Sequence, residues 1–183
     1  MQARFFSTYP HKPLFVYRMR RALNPPDQAA FFLKEDQIQS AIAESRKSPR
    51  RRIILPVQRS ESDPVQRLIN IIQPGSYIQP HLHPRPQAIE LVVVLGGRLR
   101  VVLFDEKGSV AKRVDLRTGG DPVLMDIVPG VWHTMIALEP DTVVLEVKGG
   151  PYDPDQDKVF AEWAPEEGTP ATDDYLKALL AEA

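Results

Sequence analysis

Cysteine is absent from the 183 residues. Disulfide cross-links, thiolate nucleophiles and sulfur-ligated metal sites are therefore excluded, and any metal must be held by nitrogen and oxygen. The same absence points to a reducing, cytoplasmic setting. Long apolar runs are missing as well: the longest uninterrupted aliphatic stretch is residues 91–95, against the roughly 18 residues of a membrane span. No membrane partner is expected. Pro10 and Pro13 interrupt a mixture of basic and aromatic residues near the N-terminus, and no apolar stretch follows, so no signal peptide is expected. Glycine is scarce beside proline, 10 against 18. Proline is excluded from helix interiors, so this balance argues against a helical bundle and for many short strands with turns between them.

Net charge is also small, −1, but it is unevenly spread. Residues 1–60 carry 12 Lys/Arg against 4 Asp/Glu, and the remainder carries 11 against 20. A basic arm that includes Arg50, Arg51 and Arg52 could meet nucleic acid or could lie on the acidic remainder. A nucleic-acid module usually has a basic pI; the value here is about 6.4, so the second reading is preferred and no nucleic-acid partner is expected.

What is present suffices for one compact domain: 43% of the residues are hydrophobic, and a chain of this size buries roughly two-thirds of its unfolded surface. Residues 1–52 read as a basic arm holding a helix over about 36–47, capped by Asp36, with Ile38 and Ile42 one turn apart and packed on the outside of the core. Residues 53–150 read as short strands at 53–57, 65–72, 77–83, 90–95, 98–104, 110–116, 123–128, 133–138 and 142–148. Turn chemistry separates them, at Pro74-Gly75, Gly96-Gly97, Pro129-Gly130 and similar breaks. Strands so short and regularly spaced predict an all-β barrel or sandwich. Residues 151–183 read as an irregular strap pinned by Phe160 and Trp163, then a helix from Thr172 whose stripe of Tyr175, Leu176, Leu179 and Leu180 needs a partner surface in this subunit or another.

Two of the four histidines form His81-Leu82-His83, where residues two apart on a strand project from one face. Pro80 and Pro84 hold that backbone extended, so both imidazoles can converge on one ion. The bland alternative is a pair of hydrogen-bonded or exposed rings. His133 follows the turn Pro129-Gly130-Val131-Trp132, which presents it at the start of another strand; His11, in the arm, reads as a surface residue.

The segment GSYIQPHLHPRPQAIELVVVLGG resembles the first motif of the cupins, with Gly75, His81, His83, Glu90 and Gly97 in the family's places. GGDPVLMDIVPGVWH resembles the second, with His133 as the third histidine. Two departures stand out. Six residues separate His83 from Glu90 where cupins usually have three or four, so counting back from Gly97 selects Glu90 and counting forward from His83 selects Gln87. Ala137 stands where an Asn often follows the third histidine. Residues 50–168 are similar to the cupin metalloproteins called WbuC, through DPVQRLINIIQPGSYIQPHLHP, VLGGRLRVVLFDEKG, PGVWHTMIALEPDTVVLEVKGGPYDP and FAEWAPEEG.

The resemblance implies a cupin jelly roll, a double-stranded β-barrel, holding one divalent metal ion with His81, His83, His133 and Glu90. Nitrogen and oxygen donors accept Fe, Zn, Mn or Ni alike. Open positions on such an ion would serve a metal-dependent oxygenase or isomerase acting on a small oxygen-rich metabolite, such as a sugar derivative linked to surface polysaccharide. The alternatives are a non-catalytic ligand-binding cupin and a dimerisation module with a vestigial site. Family habit implies a homodimer.

Other residues are candidates for lining the cavity. Tyr77 and Gln79 share the strand side of the histidine pair if its register holds. Arg67, Arg100, Glu146 and Lys148 interrupt apolar strands; turned inward they would need partners or an anion, and the solvated outer face is the preferred place for each. Trp132 reads as packing the mouth, with stacking on a sugar as the sharper alternative.

Overall fold

The computed structural model of the chain describes residues 21–181; His11 and the basic residues before Arg21 lie outside them. The elements are α1 (Glu35–Lys47), β1 (Arg52–Pro56), β2 (Val65–Ile72), β3 (His81–Leu82), β4 (Glu90–Gly96), β5 (Arg98–Phe104), β6 (Val110–Arg117), β7 (Leu124–Ile127), β8 (Trp132–Ala137), β9 (Thr142–Gly149), β10 (Val159–Phe160) and α2 (Thr172–Leu180). They form two five-stranded sheets, ordered β1-β2-β9-β4-β7 and β10-β3-β8-β5-β6, with every pairing antiparallel. Strands β2 to β9 alone give β2-β9-β4-β7 facing β3-β8-β5-β6, the interlocked Greek keys of a jelly roll. The fold is a jelly-roll β-barrel.

Alternation along each strand divides the molecule into three apolar clusters. Inside the barrel lie Ile72, Val92, Val94, Leu99, Val101, Leu116, Met135 and Val144. On the outer face of the first sheet, Ile53, Leu55, Ile69, Ile71 and Val143 are covered by Ala41 and Ile42 of α1. On the outer face of the second, Val102, Phe104 and Ile136 are covered by Leu176 and Leu179 of α2. Each such side chain taken out of water contributes about 1.5–3 kcal/mol, which is why both helices dock where they do. The stripe of α2 thus finds its partner within this chain. Its last carbonyls are held by Arg100, whose Nη1 donates to Leu180 O at 2.9 Å, and by Arg113, whose Nε donates to Leu179 O at 3.2 Å.

Three local expectations are corrected. Asp36 does not cap α1: the helix begins one residue earlier with Lys34 at its cap, whose backbone N–H donates to Gln37 Oε1 at 2.9 Å. The strand expected over 77–83 shrinks to His81–Leu82. The strap adds a short strand, β10, that pairs with β3. Of the basic residues near the barrel, Arg50 and Arg52 pair with Glu167 of the strap at 2.7 and 2.6 Å, and Arg46 pairs with Asp141. They lie on acidic partners as the charge asymmetry suggests. Among the described residues no helix is long and apolar enough to cross a membrane.

Candidate metal centre

The first sheet of the barrel contributes Glu90, at the start of β4, and the second contributes His81 and His133, with His83 one residue beyond β3. His81 on β3 is the direct antiparallel neighbour of His133 on β8. All four side chains are almost wholly buried, with exposures of 0% for His81 and His133, 3% for His83 and 2% for Glu90. One ligand atom from each lies within 4.8 Å of all the others. That spacing suits donors placed about 2.0–2.2 Å from a common ion.

The hydrogen bonds around the rings decide which nitrogen faces inward. His81 Nδ1 donates to Gln79 O at 2.9 Å, His83 Nδ1 to Asp157 O at 2.6 Å and His133 Nδ1 to Val131 O at 2.9 Å. A carbonyl only accepts, so each Nδ1 carries its proton and each neutral ring presents a lone pair on Nε2. His83 Nε2 and His133 Nε2 then lie 3.2 and 3.0 Å from Glu90 Oε2, and His81 Nε2 is buried without any partner. Lone pairs facing a carboxylate in a buried space require a positive charge among them, a metal ion or added protons. Without an ion, burial pushes the Glu90 carboxyl up, but His133 and His83, once their Nε2 atoms take up protons and donate to it, outweigh burial through those hydrogen bonds and their charges and hold the group well below the usual carboxylate range. His81 is held well below the ordinary imidazole value by burial, then by the charges of Lys158 and His133, with Glu90 opposing. A neutral imidazole with a free Nε2 is the form a metal needs. The donor set of three nitrogens and one carboxylate therefore fits a divalent ion, and the four residues together can hold one.

The long gap between His83 and Glu90 has a structural explanation. Residues 84–89 make a turn in which Ala88 N–H donates to Arg85 O at 2.9 Å, and the turn folds over the end of β9. The approach is so close that a Cβ on Gly149 would fall 1.7 Å from Gln87 O. The loop absorbs the extra residues and returns the chain to the sheet at Glu90. Gln87 itself is exposed, so of the two candidates for the carboxylate position only Glu90 joins the histidines.

Of the lining candidates, two come to this end of the barrel and five point elsewhere, with Arg67 and Arg100 away from the interior as preferred for them. Glu146 and Lys148 were expected outside but point inward from β9, beside Val92 and Glu90 of β4. Each has the partner a buried charge requires: Asn70 Nδ2 donates to Glu146 Oε1 at 2.9 Å, and Lys148 Nζ donates to Asp157 Oδ1. Tyr77 faces the outer cluster under α2, where its hydroxyl donates to Pro165 O at 2.7 Å. The alternation from Tyr77 to His81 breaks because residues 77–80 are not strand. Gln79 acts through its backbone carbonyl on His81, while its side chain donates to Ala161 O of the strap at 3.1 Å. Arg67 pairs with Asp63 at 2.6 Å and Arg100 with Asp115 at 2.7 Å. Trp132 is on the outer side of β8, edge-on to Trp163 at 5.9 Å between ring centroids. The sequence reading missed Asn70, Asp157 and Lys158. Asn70 left one signal, a lone polar residue among Leu68, Ile69, Ile71 and Ile72; the strap residues left none.

Comparison with known proteins adds the following. A family model described as a domain of unknown function, DUF6016, matches residues 33–116, a span holding His81, His83 and Glu90 but not His133. No curated protein sequence matches the chain. Among solved structures, the chain is similar to the oxalate decarboxylase of Bacillus subtilis, at 22% identity over 60% of this chain and 27% of that one, with a TM-score of 0.46. It is also similar to the Lactobacillus farciminis oxalate decarboxylase in its formate complex, at 20% identity over 52% and 26% of the two chains, with a TM-score of 0.41. The chain spans about a quarter of the length of these structures.

Proposed function

We propose that the protein is a metal-dependent cupin in which His81, His83, Glu90 and His133 hold one divalent ion, Fe, Zn, Mn or Ni, and that it binds or transforms a small oxygen-rich metabolite there. The observation that carries this reading is the convergence of three Nε2 lone pairs on one carboxylate, with every Nδ1 fixed by a backbone carbonyl. A divalent ion held by four such donors keeps one or two positions for a chelating ligand and supplies Lewis acidity to it. The chain's own residues do the rest. The three carbonyls orient the imidazoles, the strap closes over His83 through Asp157, and Asn70 and Lys148 compensate the buried carboxylates around the ion.

A WbuC-type role on a sugar derivative, a homodimeric state and a cytoplasmic setting belong to the same proposal, supported by the motifs of the sequence and its lack of cysteine. Elemental analysis of freshly purified protein tests it first. About one equivalent of a transition metal, lost in His81→Ala, is the expected result; metal-free protein that takes up none on reconstitution would favour a vestigial site. An untargeted search for products by mass spectrometry then separates turnover from binding alone.

A further inference from the structure

The strap delivers to the polar end of the barrel a cation that no carboxylate among the described residues holds by a direct bond. β10 pairs with β3 so that Val159 lies opposite Leu82 and Phe160 opposite His81, which brings Lys158 alongside His83. Lys158 is half-buried, and its ammonium acts on His81, Glu90 and Glu146. Asp157 is taken by Lys148, and among the described residues Lys158 makes neither an ion pair nor a hydrogen bond. Close by, Asn70 is 6% exposed and spends its amide N–H on Glu146, while its Oδ1 is buried with no donor to meet it. The polar end thus holds a cation without a direct partner and an acceptor without a donor, the first acting on Glu90 and the second carried by the residue that binds Glu146.

Charge counting gives the class of ligand. Three neutral imidazoles and Glu90 around a divalent ion leave one positive charge. Lys148 and Asp157 cancel, and Lys158 offsets Glu146, so the loaded site remains positive and favours an anion. Resting on the metal-binding reading above, we propose that the ligand is a small hydroxycarboxylate that chelates the ion, its carboxylate drawn to Lys158 and a hydroxyl donating to Asn70 Oδ1. Lys158 and Asn70 are then the residues that choose an acid over a neutral polyol.

The test uses the full chain loaded with Co(II), its stoichiometry fixed by elemental analysis, and titrated with gluconate and with the neutral polyol glucitol. Binding is followed by the cobalt absorption bands and by calorimetry. Gluconate should bind at least about tenfold more tightly than glucitol. Lys158→Met should erase that preference without changing cobalt content, and Lys158→Arg should restore most of it. With cobalt bound, failure of gluconate to bind, equal affinity for the two probes, or an undiminished preference in Lys158→Met overturns this assignment and leaves the metal reading standing. A chain that takes up no cobalt overturns both.

Discussion

The two ends of the barrel interior are built from alternate residues of the same strands, yet they obey different physics. Along β4, Glu90 gives way at two-residue steps to Val92 and Val94; along β8, His133 gives way to Met135 and Ala137; along β9, Val144 leads to Glu146 and Lys148. All of these side chains are buried. At the apolar end burial is favourable in itself, through loss of hydrated surface and close packing. At the polar end it opposes folding until each charge and lone pair has a partner. The partners are visible: three carbonyls for the Nδ1 atoms, Asp157 for Lys148, Asn70 for Glu146. One end supplies stability, and the other is maintained by it.

The comparison breaks most sharply if a cut at the apolar end disturbs metal binding. Leu99 is fully buried and pairs across the ladder with Ala137, remote from His133, which faces Leu103. Leu99→Ala should cost about 2–5 kcal/mol in urea unfolding, while the folded fraction still takes up a full equivalent of metal. Loss of metal from folded protein would show the two ends to be coupled. At the polar end the signs reverse. Saturating Zn at about a hundred times its dissociation constant should raise unfolding free energy by about 2.7 kcal/mol, a chelator should remove the gain, and His81→Ala should show none of it. An equal gain in His81→Ala would place the ion elsewhere.

The legibility of these regions in the sequence follows the same division. Periodicity and turn residues located nine strands because apolar alternation and Pro/Gly punctuation are local signals, and 65–72 and 98–104 coincide with β2 and β5. The His-x-His pair and His133 were legible because their spacing survives as a motif, whereas the longer gap after His83 left Glu90 and Gln87 as alternatives that only the return of the chain to the sheet at Glu90 separates. Charged residues at inward strand positions were not: Glu146 and Arg67 look alike in sequence, and only the pairing of β9 with β4 turns Glu146 inside. Tyr77 was misplaced because parity counted back from His81 assumes unbroken strand, and the chain there is irregular. The strap carries no periodicity, so neither β10 nor the roles of Asp157 and Lys158 could be read from it; they exist only through long-range pairing with β3.

A finer probe of the polar end is Glu90→Gln, which keeps the shape and removes the charge among the lone pairs. Metal affinity should fall at least about tenfold, read by competition with a chromophoric chelator, and the metal-free protein should lose the acid-side protection that His83 and His133 give to Glu90. Unchanged affinity would reduce the site to three imidazoles.

The smallest expected effect concerns the strap, which reaches both the outer face and the polar end and so links the two physical regimes. Glu167 anchors it to Arg50 and Arg52. Burial pushes the Glu167 carboxyl up, but the hydrogen bond from Arg50 and the charges of Arg52 and Arg50 outweigh it and hold the group below its ordinary value of 4.5. A carboxyl whose folded pKa is depressed stabilises the fold fully above that ordinary value, and the contribution is lost as pH falls through the folded one. Glu167→Gln should therefore lower stability near neutral pH by about 1 kcal/mol, its partial exposure trimming the effect, and flatten the acid limb of the stability curve below pH 4.5. Arg52, whose guanidinium is lowered to about 10 chiefly by burial, keeps its bonds to Ser76 Oγ and Tyr77 O, so the barrel itself should stay folded. If metal affinity falls along with strap stability, the bond that His83 Nδ1 donates to the Asp157 carbonyl is transmitting the loss; if only stability falls, the strap is held at His83 independently of its far end.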